Sequence, residues 1–498
     1  MAQSRAGERS AFLLILCLVL MVLSSCRFPS MEALSADNHR QFVNAHSADI
    51  LMNHRVKPVS AVVGKRVLTL EDCRAQALSN SLEIQAGRLD ELTQRAIRYS
   101  NRTRMLPHFL YSGDLSQRDN YRYSYSEVLG LEGSSPNPLN PGTGVTSYST
   151  GHERGTWVQI LEARWSATDA ALAYYVSNSS ANDRLKAYYR RVRTSQKVLE
   201  VVDGAFFRLL AAQECLPLAE RLVAIRNGTR AKLTELLKEK LARIEDVHRG
   251  EDKAIRATRL AARLRADMES QRDLLATAMA ISPDSCIDGG FCVVGALRMP
   301  PCAPQICTLE MAAVQNRPEA FEAGLTHLNS ANDVKRTIVK IFPRLSTFWR
   351  FSRDKDKFLY EKEWKEVGVS VYFDLIEWVA SLHELGAAKS TAAKTEREMG
   401  AVALAITSQV RQAAVKVGDS LEEVRAQEAS LASFGRLYDS LEKRLSVQDL
   451  DKISVEEARG DLLEGKINRL KALAEANAAS AVLESSLGRN YQEPIPSD

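Results

Sequence analysis

A short stretch in the second half of the chain changes from one periodicity to another. It runs from Val367 to Leu375 and reads VGVSVYFDL. Its valines alternate with small or polar residues, and this period of two predicts a β-strand. From Leu375 to about Leu445 there is no proline, and apolar residues recur at gaps of three, four and seven, which is typical of a coiled-coil seam. About 70 residues at ~1.5 Å each predict a helix roughly 105 Å long, which no compact domain needs.

A second strand of the same kind lies in the first half of the chain. Residues 157–165 also precede a long helical pattern. Partner strands are expected upstream, near residues 109–125 and 345–352, so each half offers one hairpin of two strands. Tryptophan concentrates at bilayer interfaces because its ring is amphipathic, although aromatic residues also favour strands in general. All five tryptophans fall in or beside these segments: Trp157, Trp165, Trp349, Trp364 and Trp378.

The long helix of the first half is predicted to run from Thr168 to about Lys240. Pro217 is expected to kink or interrupt it, since proline lacks the amide hydrogen that a helix needs. A return helix is expected after each long helix. Ser454 and Glu457 have the spacing of a capping box, which predicts that the last helix starts there. Each half therefore predicts a pair of long antiparallel helices.

Both halves open with the same short motif, Thr-Leu-Glu, at Thr69 and at Thr308. A threonine in this position can cap the helix that follows, and Asp72 lies three residues after the first threonine. The first opening helix is predicted to run to about Met105 and the second to about Ile341. Each stops two residues before a proline.

The spacing between matching residues of the two halves stays fixed over long segments. One offset relates the opening helices up to Pro107 and its match Pro343, and a second, shorter offset relates Trp165 to Phe373. Fixed offsets of this kind predict an internal two-fold repeat. The change of offset means that the first half has extra residues between Pro107 and Trp165. They fall in residues 133–155, which are rich in Ser, Pro, Asn and Gly and are predicted to be a loop.

The chain begins with the pattern of an exported protein. Arg5 and Arg9 precede an apolar run, residues 11–23, that is too short to span a bilayer as a helix. The run ends in Leu-Ser-Ser-Cys at Cys26, which resembles a bacterial lipoprotein signal and implies cleavage before Cys26 and acylation of its thiol and amine. A plain secretory signal with an accidental cysteine is the alternative. Arg27 follows the cysteine where an Asp would resemble an inner-membrane retention signal, which favours the outer membrane.

The other cysteines are either isolated or clustered. Cys73 and Cys215 are isolated within helical patterns and are expected to be buried small hydrophobic residues. Four more fall close together between the two halves, at spacings unlike the paired Cys-x2-Cys of a zinc site. They are Cys286, Cys292, Cys302 and Cys307. In an oxidising periplasm two local disulfides are expected; three pairings are possible, and the pairing of first with second and third with fourth is favoured.

Composition and motifs exclude several classes of protein. The 498 residues include 66 Lys+Arg and 62 Asp+Glu, a net charge of +4. This nearly balanced charge does not indicate a nucleic-acid partner. The eight histidines are scattered, and no HExxH, GxSxG or phosphate-binding loop occurs, so no catalytic residue, metal or cofactor is expected. After the export signal no apolar run is long enough for a transmembrane helix, so the mature chain meets a bilayer only through its lipid or through strands.

Four strands per chain are too few to close a barrel in a membrane. An open edge in lipid leaves amide and carbonyl groups unpaired, at several kcal/mol each, and known small barrels need at least about eight strands. Three identical chains supply twelve strands together with a ring of long helices. The predicted fold class is therefore mainly α with a small β part: a long antiparallel α-helical barrel continued by a trimer-completed 12-stranded transmembrane β-barrel, with an internal two-fold repeat.

Several motifs resemble the TolC-like outer-membrane efflux protein family. Residues 69–72 and 77–83 resemble its opening helix, and residues 164–166 and 369–375 resemble its strand-to-helix junctions. Residues 205–214, which read AFFRLLAAQE, are the most specific match, to the middle of its first long helix. The resemblance implies a homotrimeric exit duct for drug efflux or type I secretion. Such a duct conducts passively and docks to a periplasmic adaptor and an inner-membrane pump.

The chain departs from the family at the two periplasmic turns. The family often has Gly-Leu there, whereas this chain has Lys240-Leu241 and Asp449-Leu450. Because the adaptor usually meets this tip, these four residues are candidate adaptor contacts. Acidic residues near the second tip, repeated threefold, are a candidate ring that favours cations; alternatively they are helix N-terminal acids that complement the dipole. They are Asp449, Asp451, Glu456 and Glu457.

The predicted organisation has six parts: a signal peptide (1–25), a lipidated linker (26–68), a first repeat (69–281), a Cys-rich loop (282–307), a second repeat (308–487) and a tail (488–498). The predicted location is the outer membrane, with a lipid anchor and an extension into the periplasm. A non-conducting structural lipoprotein, or a spacer that spans the periplasm, is the alternative function, and the sequence separates it poorly from a duct.

Overall fold

A computed structural model gives the fold. It describes residues 67–120, 123–126, 147–281, 291–301, 306–445 and 452–494; the signal sequence and Cys26 lie outside these ranges. The chain divides into two compact units, one of residues 1–68 with 280–292 and one of residues 69–279 with 293–498. The described part of the first unit includes a short strand at Val67–Leu68 and the buried Phe291. The helices and the larger sheet belong to the second unit.

Helices account for most of the described residues. Two of them, α3 (Ala167–Lys238) and α7 (Leu375–Leu445), have 72 and 71 residues, which corresponds to about 107 Å each. The expectation of a mainly α fold with two very long helices is confirmed. The helices are α1 (Leu70–Asn80), α2 (Leu82–Thr103), α3 (Ala167–Lys238), α4 (Ile244–Ala278), α5 (Ile306–Asn316), α6 (Pro318–Lys340), α7 (Leu375–Leu445) and α8 (Lys452–Ser486).

The strands form a small part of the fold. They are β1 (Val67–Leu68), β2 (His108–Gln117), β3 (Tyr123–Ser126), β4 (Ser147–Thr150), β5 (Gly155–Ser166), β6 (Cys292–Val293), β7 (Arg344–Asp354) and β8 (Glu363–Tyr372). The main sheet is antiparallel, in the order β2-β5-β7-β8, and β3 pairs with β4 separately. β4 falls within residues 133–155, so the prediction that this whole stretch is a loop is wrong.

Each opening helix is interrupted, although the sequence pattern predicts a continuous one. Between α1 and α2, Ser81 adopts φ −54° and ψ 122°, and between α5 and α6, Arg317 adopts φ −75° and ψ 132°. Arg317 precedes Pro318, and a residue before proline is disfavoured in the helical conformation. The separation of the two breaks along the chain equals that of the matching residues in the two opening helices.

The two predicted capping boxes have different outcomes. Thr69 caps α1 as expected: its Oγ1 accepts from the Asp72 N–H at 3.2 Å, and its own N–H donates to Asp72 Oδ2 at 3.1 Å. The prediction for Ser454 is wrong, because α8 already includes Lys452 and Ser454 lies inside the helix. The helix start is therefore not set by the Ser454–Glu457 pair.

α3 continues through Pro217, so of the two expected effects of this proline the interruption is wrong and the kink stays a prediction. The residues around it lie in a buried apolar cluster, in which Cys215 and Leu222 pack with Leu264 of α4 and Ile467 of α8. Proline inside a helix costs about 3 kcal/mol, whereas each large apolar side chain buried contributes about 1.5–3 kcal/mol. Packing on both sides of the proline therefore outweighs the lost backbone hydrogen bond.

α3 is the central helix of the second unit. It packs against α2, α4, α6 and α8, and α7 packs against α6 and α8. The seam predicted for α7 is buried from Ile406, which is 2% exposed, to Val424, which is 0% exposed. Among the helices that the structure describes, none has an apolar stretch long enough to cross a membrane.

Candidate functional site

The four-stranded sheet is continuous with the two long helices. β5 ends at Ser166, whose side chain accepts a hydrogen bond from the Asp169 N–H at 3.1 Å and so caps α3. At the start of α7, Asp374 Oδ1 accepts from the N–H groups of Ile376 and Glu377 at 2.9 and 3.1 Å. These side chains satisfy the first free amides of each helix. The chain therefore passes from strand to long helix with almost no connecting loop.

The sheet has two open edges. In the described part of the chain, β2 pairs only with β5 and β8 pairs only with β7. The pairings run in regular register, with His108 opposite Arg164 at one end of the β2–β5 pair and Gln117 opposite Gly155 at the other. An edge strand presents unpaired amide and carbonyl groups, and so it is a template for pairing with another chain.

One face of the sheet is apolar and exposed. Successive residues of a strand point to opposite faces, so Val367, Val369 and Val371 share a face; they are 80%, 67% and 68% exposed. Phe109 and Tyr111 of β2 lie on this face too. Opposite the three valines on β7 are Trp349, Thr347 and Leu345. A contiguous apolar surface of this kind indicates contact with a membrane or a partner chain.

On the opposite face, four charged side chains lie close together: Glu162, Arg164, Arg350 and Glu366, which we call the charged row. Glu162, Arg350 and Glu366 stand directly opposite one another on β5, β7 and β8. Arg350 donates from Nε and Nη2 to Glu162 Oε2, at 3.0 Å each, and from Nη1 to Glu366 Oε2 at 3.1 Å. Arg164 Nη2 lies 2.6 Å from Glu162 Oε1. The row is thus a connected network of two cations and two anions.

The position of Arg350 depends on its neighbours on β7 and β8. Its guanidinium lies 5.1 Å from the centre of the Phe348 ring, within the range of a cation–π contact. The Phe348 ring in turn covers Gly368, where a Cβ atom would come 2.5 Å from Phe348 Cζ. Gly368 therefore has a packing role, since any side chain there would displace the ring that supports Arg350.

The tryptophans do not all mark one surface. By strand alternation Trp157, Trp165 and Trp349 share the apolar face. Trp364 lies on the polar face, where its Nε1 donates to Glu366 Oε1 at 3.1 Å, and Trp378 belongs to α7. Three of the five tryptophans therefore share the apolar face, and the expected bilayer interface stays a prediction.

At the end of the sheet away from the long helices, a buried carboxylate links two loops. Asp356, in the loop between β7 and β8, has a fully buried side chain. Its Oδ2 lies 3.0 Å from His152 Nδ1, and its Oδ1 accepts from the Phe358 N–H at 3.0 Å and the Glu153 N–H at 3.3 Å. Burial raises the pKa of Asp356, but these hydrogen bonds outweigh burial and lower the pKa below its ordinary value. The loop before β5 and the loop after β7 are therefore held together.

The first helical tip is a tight turn with lysine in a glycine position. Lys240 has a φ of 62°, in the left-handed region. Its N–H donates to the Leu237 carbonyl at 3.0 Å, and the Leu241 N–H donates to the Leu236 carbonyl at 2.8 Å. This is the Schellman pattern of a helix end, in which glycine is the usual residue at the left-handed position. Leu241, the second residue of the predicted tip pair, is 73% exposed.

Replacing Lys240 with glycine is expected to stabilise the end of α3. Glycine removes the steric cost of the left-handed conformation, about 1 kcal/mol for a residue with a Cβ, and so local opening becomes rarer. Hydrogen exchange of the amides near residues 236–241 measures this as slower exchange. The matched control is Lys238→Gly, inside the last turn of α3, where glycine costs about 1 kcal/mol and exchange is expected to quicken. Faster exchange in both variants would contradict this account of Lys240.

The second tip is described only in part. Glu457, near the start of α8, accepts a hydrogen bond from Lys253 Nζ of α4 at 2.9 Å, and Glu456 is half-buried. Glu457 is therefore paired within its own chain. Three residues of the predicted tip and ring lie outside the described ranges: Asp449, Leu450 and Asp451. The acidic ring stays a prediction.

The isolated cysteines are buried, as predicted. Cys73 and Cys215 are both fully buried, and burial is the main cause that raises the pKa of each thiol to about 12. Cys292 has a free and exposed thiol rather than the predicted bond to Cys286. The remaining members of the cluster, or their side chains, lie outside the described part: Cys286, Cys302 and Cys307. Among the described residues no group of three His, Cys, Asp or Glu is placed to hold a metal ion.

The sequence alone does not reveal the charged row. A weak signal existed, since Glu162 and Arg164 are two residues apart in one predicted strand and so share a face. The strands opposite them, β7 and β8, come from the second half of the chain, and only the register of the sheet brings Arg350 and Glu366 to the row.

Solved structures of outer-membrane channels share this fold. The outer-membrane channel OprN superposes with a TM-score of 0.66 at 16% identity, covering 84% of this chain and 89% of that one. The Campylobacter jejuni CmeC outer membrane channel gives 0.67 at 12% identity, with 86% and 87% covered. The open state of the Neisseria gonorrhoeae MtrE outer membrane channel gives 0.62 at 14% identity, with 84% and 88% covered. No protein-family model and no curated protein matches the sequence.

Proposed function

We propose that this chain, which has the fold of the TolC-type outer-membrane channels, forms the exit duct of an efflux pump or a type I secretion system. Solute moves passively through a tunnel formed by three copies. One observation carries the proposal: a sheet with two open edges, one apolar face and one polar face continues directly into helices of about 107 Å. In this proposal the sheet is the end embedded in lipid, and the long helices surround the water-filled part of the tunnel.

The open edges support a homotrimer. One chain contributes the four strands β2, β5, β7 and β8, and in a trimer β2 of each copy pairs with β8 of the next. Twelve strands then close with no unpaired edge in lipid, which removes a cost of several kcal/mol for each unpaired group. The internal two-fold repeat belongs to the same proposal, since each half supplies two of the four strands and one long helix.

The two faces of the sheet support its orientation in the barrel. The valines of β8 face the lipid, where exposed apolar side chains are favourable. The charged row faces the lumen, where water and passing ions solvate it. Transmembrane barrels combine an apolar outside with a polar inside in this way.

The remaining parts of the proposal concern the two ends. The acylated Cys26 anchors the chain in the outer membrane, and the helices extend into the periplasm towards an adaptor and an inner-membrane pump. The exposed Leu241 supports an adaptor contact at the first tip, with Lys240, and Asp449-Leu450 contribute at the second. Asp449, Asp451, Glu456 and Glu457 form the acidic ring at the aperture. The six-part organisation, from the signal peptide 1–25 to the tail 488–498, and a Cys302–Cys307 disulfide are part of the proposal.

Conduction by the purified protein tests the proposed function. We expect the lipidated trimer, added to a planar lipid bilayer, to give discrete single-channel steps, because the polar lumen is continuous and filled with water. Detergent buffer without protein is the control. An insulating bilayer with inserted protein would contradict a duct and favour the structural spacer.

A further inference from the structure

We propose that Arg350 sets the ion preference of the sheet end of the duct by balancing the two carboxylates of the charged row. The inference deepens the proposed function and rests on it, because it requires the polar face of the sheet to line the lumen. The geometry that points to it is the sharing of one guanidinium by Glu162 and Glu366 on the two neighbouring strands.

Arg350 is the cation that Glu366 depends on within the row. Arg164 contacts Glu162, at 2.6 Å, and no contact joins it to Glu366 in the row as the structure describes it. Glu366 is held by Arg350 Nη1 on one oxygen and by the Trp364 indole on the other. The indole is neutral, so the charge of Glu366 is offset by Arg350. Loss of the guanidinium changes the row from neutral to a net charge of −1 in each chain.

The row is placed to act on solute. Its charges are fixed in position, because Glu162 has a side chain only 10% exposed and Arg350 lies against the Phe348 ring. It is also open to water, since the Arg350 and Glu366 side chains are 30% and 44% exposed. Fixed and partly exposed charges that recur at one level in all three copies act together on an ion in the lumen.

A second pair of carboxylates lies on the same face. Asp114 of β2 and Asp354 of β7 both stand opposite Val158, four residues before Glu162 on β5 and towards the loop end of the sheet. The level between these carboxylates and the charged row is uncharged, with Ser112, Ile160 and Ser352 opposite one another. Without Arg350, the charged row would become a second net negative level on this face. Arg350 therefore keeps the row neutral, and the row excludes neither cationic nor anionic solutes.

Reversal potentials of purified trimers in planar bilayers test the inference. Under an about tenfold KCl gradient kept below about 0.1 M, where screening is weak, Arg350→Gln is expected to raise the permeability ratio of K+ to Cl− roughly twofold or more. Glu366→Gln is expected to lower that ratio by a similar factor, because it leaves the row with an excess positive charge. The double variant Arg350→Gln/Glu366→Gln is expected to return close to the wild-type ratio.

Matched controls lie on the other face of the same two strands. Arg353 and Glu363 form a pair at 3.0 Å with half-exposed side chains, and alternation places both on the apolar face. Arg353→Gln and Glu363→Gln are expected to leave the ratio unchanged. If the Arg350→Gln variant does not insert into the bilayer, the permeability ratio of the Glu366→Gln variant decides the test, because that variant keeps the hydrogen bonds between Arg350 and Glu162. If the wild type conducts but the permeability ratio does not change in Arg350→Gln or Glu366→Gln, the proposed role of Arg350 is overturned. If the wild type does not conduct, the proposed duct itself is overturned.

Discussion

Replacing Val369 with arginine is expected to abolish assembly in the outer membrane. Val369 lies mid-strand on the apolar face and is 67% exposed, between Val367 and Val371. An arginine at the bilayer midplane of a barrel costs about 2–4 kcal/mol, and a trimer carries the substitution three times, so the total is about 6–12 kcal/mol. The measurement is the amount of trimer that detergent extracts from isolated outer membranes, compared with wild type. We expect little or none.

The control for this prediction is the neighbouring residue on the polar face. Ser370 stands opposite Ser346, and their hydroxyl oxygens lie 2.6 Å apart on the face of the charged row. Ser370→Arg places the same charge in water, so most of the trimer is expected to assemble. Equal recovery of the Val369→Arg and Ser370→Arg variants would remove the membrane assignment of the sheet.

Strong local patterns in the sequence predicted the elements that now carry the proposed function. The alternation of valines before Leu375 predicted β8, which ends at Tyr372, and the gaps of three, four and seven predicted α7 to its last described residue. These patterns are predictive because one face of each strand or helix is consistently apolar. The hydrophobic period is therefore visible in the sequence even when the element against which that face packs is unknown. The open sheet edges were also predicted, from the number of strands alone.

Rules based on single residues were less reliable, because packing decides their outcome. Pro217 leaves α3 uninterrupted where apolar residues on both sides are buried, whereas Pro318 coincides with a break at Arg317. The break at Ser81 has no proline after it. The Ser454–Glu457 spacing matches a capping box but lies inside a helix that starts earlier, so the motif alone does not fix a helix start.

The contacts within the charged row are the part of the candidate site that could not be predicted from the sequence. Glu162 and Arg350 lie in different halves of the chain, and their contact depends on the register of β5 against β7. A shift of one residue in that register would send Arg350 to the opposite face. Contacts between distant strands follow from tertiary structure, and a periodic pattern within one strand contains no information about them.

Replacing Arg74 with methionine is expected to loosen α1 from α3. Arg74 donates from Nε and Nη2 to the two carboxylate oxygens of Asp203, at 2.7 Å each, and these hydrogen bonds raise the pKa of Arg74 above its ordinary value. The Asp203 side chain is only 2% exposed. Removal of one partner leaves an uncompensated buried charge, which costs about 3–5 kcal/mol; we take the lower end because Arg74 is 42% exposed.

Hydrogen exchange of the α1 amides is the appropriate measurement, because the pair joins this short helix to α3 and affects its local opening. A loss of about 3 kcal/mol corresponds to roughly 100-fold faster exchange in residues 70–80. The double variant Arg74→Met/Asp203→Met is expected to recover most of the protection, since no buried charge remains. The control is Arg208→Met, which breaks an equally bidentate pair with Glu475. The Arg208 and Glu475 side chains are 42% and 53% exposed, so loss of this pair is expected to cost less than about 1 kcal/mol. A double variant that exchanges as fast as Arg74→Met would show that lost contacts, and not the buried charge of Asp203, cause the loosening.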